Sequence, residues 1–233
     1  MSGHLNPGGQ QFRHDRGTAD PAVAAALAAY LDGQGSEQAA LSALASARLL
    51  VPVVATLADG TEPADALTGE KNSEMALPTL IGRDGRPALL AFTGLDALSR
   101  WRPDARPLPA EADRVWRAAV AEGCAVVIDV AGPVPLAVEG ARLAALAAGR
   151  PVPSPHEDPD IRAEVEAAVA GEPGITGFTL TPGHQDGTDL AVTLRLAPGD
   201  HGLVLTRAAN SIAARLAGRL RRGIEFSVTP ARG

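Results

Sequence analysis

Residues 76–101 read ALPTLIGRDGRPALLAFTGLDALSRW, and the pattern is strand, tight turn, strand, sharp corner, helix. Asp84-Gly85 separates two apolar runs, a strong short-range mark of a β-hairpin. Gly85 takes the positive φ such a turn needs, and Asp84 tolerates it better than most residues. Phe92 closes the second strand. Thr93 is placed to cap the following helix, with Asp96 three residues on as a weaker capping box. Leu95 and Leu98 are expected to face inward, and Arg102-Pro103 stops the helix. The stretch specifies a fold and carries no recognisable chemistry.

Outward from it, both sides alternate helix and strand. On the N-terminal side, residues 1–19 lack periodicity and are expected to be a disordered tail. Asp20-Pro21 starts a helix with Val23, Leu27, Tyr30 and Leu31 on one stripe. A second helix starts near Ser36, and residues 49–57 (LLVPVVATL) read as a buried strand whose Pro52 belongs at an edge, a bulge or a strand start. Residues 58–75 read as an acidic loop. On the C-terminal side, residues 103–109 read as a proline-rich connector. Residues 111–122 form an amphipathic helix with Val115, Trp116, Ala119 and Val120 on one side and Gly123 as its cap. Residues 124–130 (CAVVIDV) are a buried strand, 134–138 another, and 140–148 a short helix.

Residues 150–156 contain the densest proline run and are expected to link two domains, 20–149 and 157–230. The second reads α-β-β-α-β. Ser154 or Asp158 caps its first helix, strands follow at 175–181 and 190–196, and a long stripe (Leu205, Ala209, Ile212, Leu216, Leu220) runs to Gly223. A last strand covers 224–228. The expected class is α/β, in the α+β sense: two small mixed-sheet domains, each a sheet with helices packed on it.

The totals narrow the function classes. The 233 residues are 45% apolar, with 3% aromatic, and carry a net charge of −6. An acidic chain is a poor general binder of nucleic acid, which needs a cationic surface. The charge is uneven. From position 201 onward there are six arginines (207, 215, 219, 221, 222, 232) and one acid, against fifteen basic and twenty-six acidic residues in 1–200. Such polarity suits an internal docking surface or an acidic partner. No leader pattern opens the chain and no apolar run reaches about 18 residues, so a soluble, cytoplasmic protein without membrane contact is expected.

The run LLVPVVAT, then LPTLIGRDGRPALLAFTGLDALSRW, then CAVVIDVAGPVPLAVEGARLAAL resembles the N-terminal domain of the SseB family over about residues 38–148. The matching elements are Leu77-Pro78-Thr79-Leu80, Asp84-Gly85-Arg86, Ala91-Phe92-Thr93, Trp101 and Gly132-Pro133. Residues 157–229 resemble the family's smaller C-terminal domain more weakly. The family is named for enhanced serine sensitivity. The resemblance implies no enzyme activity, cofactor or catalytic residue. A rhodanese-type sulfurtransferase is excluded because its cysteine needs an anion-binding loop. Cys124, the chain's single cysteine, opens a hydrophobic strand instead.

Motifs for chemistry are sparse. The five histidines are scattered, and none forms an i, i+4 pair. His184, Asp186 and Asp189 share one polar loop, read as a solvated hairpin turn. Gly33 and Gly35 follow a helix rather than a strand, so they are not a dinucleotide fingerprint. Two groups remain as candidates. Phe92, Thr93, Arg100 and Trp101 meet at one corner of the sheet, as ligand or partner surface, with packing of hairpin on helix as the competing reading. Arg215, Arg219 and Arg222 share one helix face by spacing, as a docking face for an acidic partner or a plain solvated face. The expected function is a non-enzymatic protein-interaction or regulatory module with no cofactor and no metal. Its protein partner and oligomeric state are unknown. The alternative is a small-metabolite (amino-acid-related) binding protein linked to serine sensitivity.

Overall fold

The computed structural model describes residue 12 and residues 15–55, 75–76, 79–81, 85, 87–133, 135–184, 188–199 and 202–231. Its elements in chain order are α1 (Pro21–Leu31), α2 (Glu37–Leu44), β1 (Arg48–Ala55), β2 (Met75–Ala76), β3 (Thr79–Ile81), β4 (Pro87–Ala91), α3 (Leu95–Trp101) and β5 (Arg106–Glu111). There follow α4 (Ala112–Glu122), β6 (Ala125–Ile128), β7 (Leu136–Val138), α5 (Gly140–Ala147), α6 (Pro159–Val169), β8 (Ile175–Thr181), β9 (Leu190–Leu196), α7 (Gly202–Leu216) and β10 (Ile224–Pro230). The class is mixed α/β. The expected loop at 58–75, and Leu77, Pro78, Asp84 and Arg86 of the opening motif, lie largely or wholly outside the described residues.

Two compact units divide the chain, and the cuts do not follow sequence order. One comprises Met1–Asp20 and Ala47–Glu139, the other Pro21–Ser46 and Gly140–Gly233. Helices α1 and α2 therefore belong with the C-terminal elements. Residues 150–156, expected as a linker, lie inside the second unit, where Val152 is buried. Its carbonyl accepts from Gln38 Nε2 at 2.9 Å.

The first unit holds two sheets, ordered β2-β1-β5 and β3-β4-β6-β7. The hairpin forms as expected: β3 pairs antiparallel with β4, Ile81 opposite Pro87, and Gly85 has φ +77°. β4 then runs parallel to β6. Leu50 of β1 exchanges backbone hydrogen bonds with Phe92 at 2.7 and 2.8 Å. Leu50, Leu90, Phe92, Ala97, Leu98 and Ala105 pack as one core. Three details differ from expectation. The residue capping α3 is Gly94, which makes no side-chain cap bond. Leu95 is exposed while Ala97 and Leu98 are buried. Val120 of α4 also points outward, whereas Val115, Trp116 and Ala119 are buried.

The proline-rich run 103–109 is largely strand β5, antiparallel to β1, with Pro52 opposite Pro107 and Leu50 opposite Pro109. Register explains how. Leu50 directs its N–H and C=O to Phe92, away from β5, and successive residues alternate direction. Residues 50 and 52, and their partners 109 and 107, are therefore non-hydrogen-bonded pairs. All three prolines sit where no ladder donor is needed. The Ala112 N–H donates to the Ala47 carbonyl at 2.9 Å, in phase with that assignment. On β5 the missing donors of Pro107 and Pro109 also face the outer edge.

The second unit is built on the sheet β10-β9-β8. β8 and β9 are antiparallel, and β10 returns parallel to β9 after α7. Asp158 caps α6 by accepting from the Asp160 N–H at 2.8 Å, with Pro159 at the first helical position. Ile161 and Val165 of α6, Val192 and Leu194 of β9, and Ile212 and Leu216 of α7 form the core. Full burial of such a side chain contributes about 1.5–3 kcal/mol. α7 ends at Leu216, short of the expected Gly223, and the turn that follows is held by the Tyr30 hydroxyl, which lies 3.3 and 3.4 Å from the Gly218 and Arg219 carbonyls as their donor.

The register makes a sharp prediction. Ala110→Pro removes a donor from a hydrogen-bonded pair and should cost about 1–3 kcal/mol in urea unfolding. Pro109→Ala, one position away, should stay within about 1 kcal/mol. Equal effects would contradict the register.

Candidate functional site

β10 is one of the two edge strands of its sheet, β8 being the other. Its pairing sets Ile224, Phe226 and Val228 level with Leu190, Val192 and Leu194, so these three share the core face. The β9 residues are fully buried, yet Phe226 is 39% and Val228 55% exposed. The apolar face of the sheet thus runs on past its cover. The opposite face is polar. Ser227 bonds Thr193 at 2.8 Å, and Glu225 accepts from Thr188 Oγ1 at 2.7 Å and contacts the His184 ring at 3.3 Å.

Beside this strand lies an open groove of about 500 Å³. Leu31, Asp32 and Gly33 line it together with Ala213 and Leu216 of α7, Ala217 just past that helix, and Leu220, Arg221, Gly223, Ile224 and Phe226. Its size is that of ligand pockets generally. Arg221 holds its guanidinium 4.9 Å from the centre of the Tyr30 ring, a cation–π contact. Burial, then the charge of Glu37, push the Tyr30 phenol above its ordinary pKa.

The turn carrying Arg221 is anchored by a set of four charges, three buried and the fourth, Arg219, partly buried. Arg142 pairs with Glu37. Arg219 Nη2 lies 2.6 Å from Asp158 Oδ2 and 3.4 Å from Glu37 Oε2. Asp158 is 1% exposed. Two guanidinium groups meet two carboxylates, so the set is neutral. Burial pushes the Glu37 carboxyl up, against the pull of Arg142 and Arg219. Burial works against the Arg219 charge as well, but its hydrogen bond to Asp158 and the charge of Glu37 outweigh it and raise its pKa. Removing one member leaves an unpaired buried charge.

The three predicted arginines therefore do not share a face. Arg215 pairs with Glu164 at 2.8 Å on the surface. Arg219 is in the four-charge set. Arg222 lies past the end of α7, and its backbone N–H donates to Asp189 Oδ2 at 2.9 Å.

The predicted corner of the first unit is brought together, but it is packed. The Phe92 and Trp101 rings are 5.5 Å apart at 34°. Phe92 has no exposed surface. Arg102, rather than Arg100, lies over Trp101, at 5.7 Å. Thr93 donates to Asp129 twice, N–H to Oδ1 at 2.8 Å and Oγ1 to Oδ2 at 2.7 Å, and accepts from Arg48 at 3.0 Å. Asp129 is buried at φ +48°, in the left-handed region. Burial pushes its carboxyl pKa up, opposed by the Thr93 bonds and the Arg100 charge. The pair ties the ends of parallel strands β4 and β6. Residue 129 was readable only as the acid near the end of an apolar run; its partner was not.

Elsewhere, the described residues contain no group of three or more His, Cys, Asp or Glu side chains arranged to hold a metal. Asp186 lies outside them. Cys124 is buried, with Sγ 3.6 Å from the Ala119 carbonyl, and burial pushes its thiol up, which disfavours the nucleophilic thiolate. Among the described residues no helix is long and apolar enough to cross a membrane.

Two substitutions test these locks. Asp129→Asn keeps both Thr93 contacts, because the amide can donate to Oγ1, and suits the backbone conformation. It should equal or exceed the parent in stability at pH 7. A buried carboxyl with a raised pKa costs stability once ionised, so the parent closes that gap as pH falls through its titration. Urea midpoints from pH 7 to 4 measure this. Arg219→Ala should cost about 3–5 kcal/mol by the same method, against under 1 for Arg215→Ala.

A family profile described as SseB protein N-terminal domain matches residues 23–145, more than half of the chain. No curated protein and no solved structure matches it.

Proposed function

The chain belongs to the SseB family, and on that premise we propose that it works without catalysis, as a protein-interaction or regulatory module whose docking element is β10. The observation that carries this reading is the uncovered seven-residue edge strand with Phe226 and Val228 exposed on its apolar face. An exposed hydrophobic edge invites association with another chain, so proteins that do not use one usually blunt it. The first unit shows such blunting at β5, where Pro107 and Pro109 remove outward donors. β10 has its proline only at the last position. The docking strand lies outside the stretch that matches the family profile, and no cofactor enters the proposal.

An amino-acid-related ligand at Phe92, Thr93, Arg100 and Trp101 has less support. Phe92 is fully packed, and the Thr93 donors are both taken by Asp129.

Site-specific photo-crosslinking in native cells tests the reading. A photoreactive residue at Val228 should give discrete adducts that one at Ala163, exposed on α6, does not. Identical patterns from both positions, or none from either, would count against docking at β10.

A further inference from the structure

Resting on that reading, we infer that the occupant of β10 is an extended peptide segment of a partner protein that adds as a fourth strand, sets alternate apolar side chains in the groove and brings a carboxylate to Arg221.

The backbone argues for a strand. Ala231 N–H donates to the Leu196 carbonyl at 2.7 Å, and the Gly223 carbonyl accepts from Asp189 N–H at 3.0 Å. Odd positions of β10 therefore face β9, and by alternation the N–H and C=O groups of Ile224, Phe226 and Val228 face outward. Pro230, the next even position, ends the row of donors. A segment pairing there would lie about 4.8 Å outside β10. Every second side chain would then fall on the core face, beside Phe226 and over the groove bordered by Leu31 and Leu220. Strand addition of this kind takes affinity from main-chain bonds and specificity from pockets for alternate residues.

The charge argues for an acidic group. Arg221 is exposed at the groove and oriented by Tyr30; Arg207, Arg215 and Arg219 are paired with Glu172, Glu164 and Asp158, whereas Arg221 is held by an uncharged ring. A guanidinium fixed this way favours a carboxylate, here that of an Asp or Glu side chain in the segment. A second copy of β10 fits poorly. Its one acid, Glu225, is on the polar face and held by Thr188 and His184.

Selection of random twelve-residue phage-displayed peptides on the full chain tests this, with enriched sequences synthesised and titrated by fluorescence anisotropy. Expected are apolar residues at i, i+2 and i+4 with Asp or Glu at one fixed position. Phe226→Glu should raise Kd at least tenfold. Arg221→Glu should do likewise, and a peptide with Lys at the acidic position should recover binding to that variant. N-methylation of alternate amides in the peptide should abolish binding in one phase and spare it in the other. Because Phe226 and Arg221 are exposed, circular dichroism should show both variants folded. No enrichment, enriched peptides without alternation, or binding indifferent to Phe226→Glu would overturn the inference. So would a dimer in sedimentation that Phe226→Glu dissolves. Adducts at Val228 to a partner lacking an extended acidic segment would overturn it too, while leaving docking at β10 standing.

Discussion

Charges withdrawn from water have to be paired, and in the second unit the turn that borders the groove is placed by that constraint. Glu37 opens α2, Arg142 lies in α5, Asp158 caps α6, and Arg219 comes from the turn after α7. Each pair is hard to break, because a buried carboxylate without its guanidinium is strongly destabilising. The pairs therefore hold distant parts of the chain in register. They explain why α1 and α2 group with the C-terminal elements. They also set where the turn after Leu216 travels. With Arg219 held by those pairs, two residues on Arg221 emerges over Tyr30, and the chain leaves through Gly223 into β10.

The first unit uses the same device at smaller scale. Asp129 accepts the backbone and hydroxyl of Thr93, and the ends of β4 and β6 are joined. A left-handed φ at a non-glycine residue, and a buried carboxyl, both oppose folding. Two short hydrogen bonds offset them. Left-handed non-glycine backbone often accompanies function, but here both carboxylate oxygens are occupied by Thr93 and the neighbouring Phe92 is sealed. That arrangement is what a structural tie requires.

The edges of the sheets differ in a way that bears on function. β5 carries its prolines at positions whose donors would point out of the sheet, so the ladder to β1 is complete and the outer edge is poor at pairing. β10 keeps its outward donors and shows Phe226 and Val228 beside a groove. The same residue type, proline, that is harmless inside one register is protective at its edge. The contrast is a matter of hydrogen-bond phase, one residue either way.

Much of this was legible from local rules. Ser36 caps α2, Asp158-Pro159 starts α6, Gly123 ends α4 with φ +65°, and β8 and β9 begin and end where the flanking turn residues placed them. These features depend on neighbours within about four positions, which a sequence displays directly. The family resemblance was legible for the same reason, as an ordered set of local motifs. The candidate site was not. The spacing of Arg215, Arg219 and Arg222 implied one helix face, but α7 ends at Leu216, before two of them. Residues 224–228 read as a last strand, with nothing to show that it would lie at an edge. The prolines of β5 suggested a connector until pairing with β1 supplied a phase that tolerates them. Sequence by itself determined the elements, their caps and their order. Only tertiary structure decided which charges are buried, which residues of an edge strand stay exposed and which backbone donors face out, because each of those depends on partners far along the chain, from 34 positions for Thr193 and Ser227 to 182 for Glu37 and Arg219.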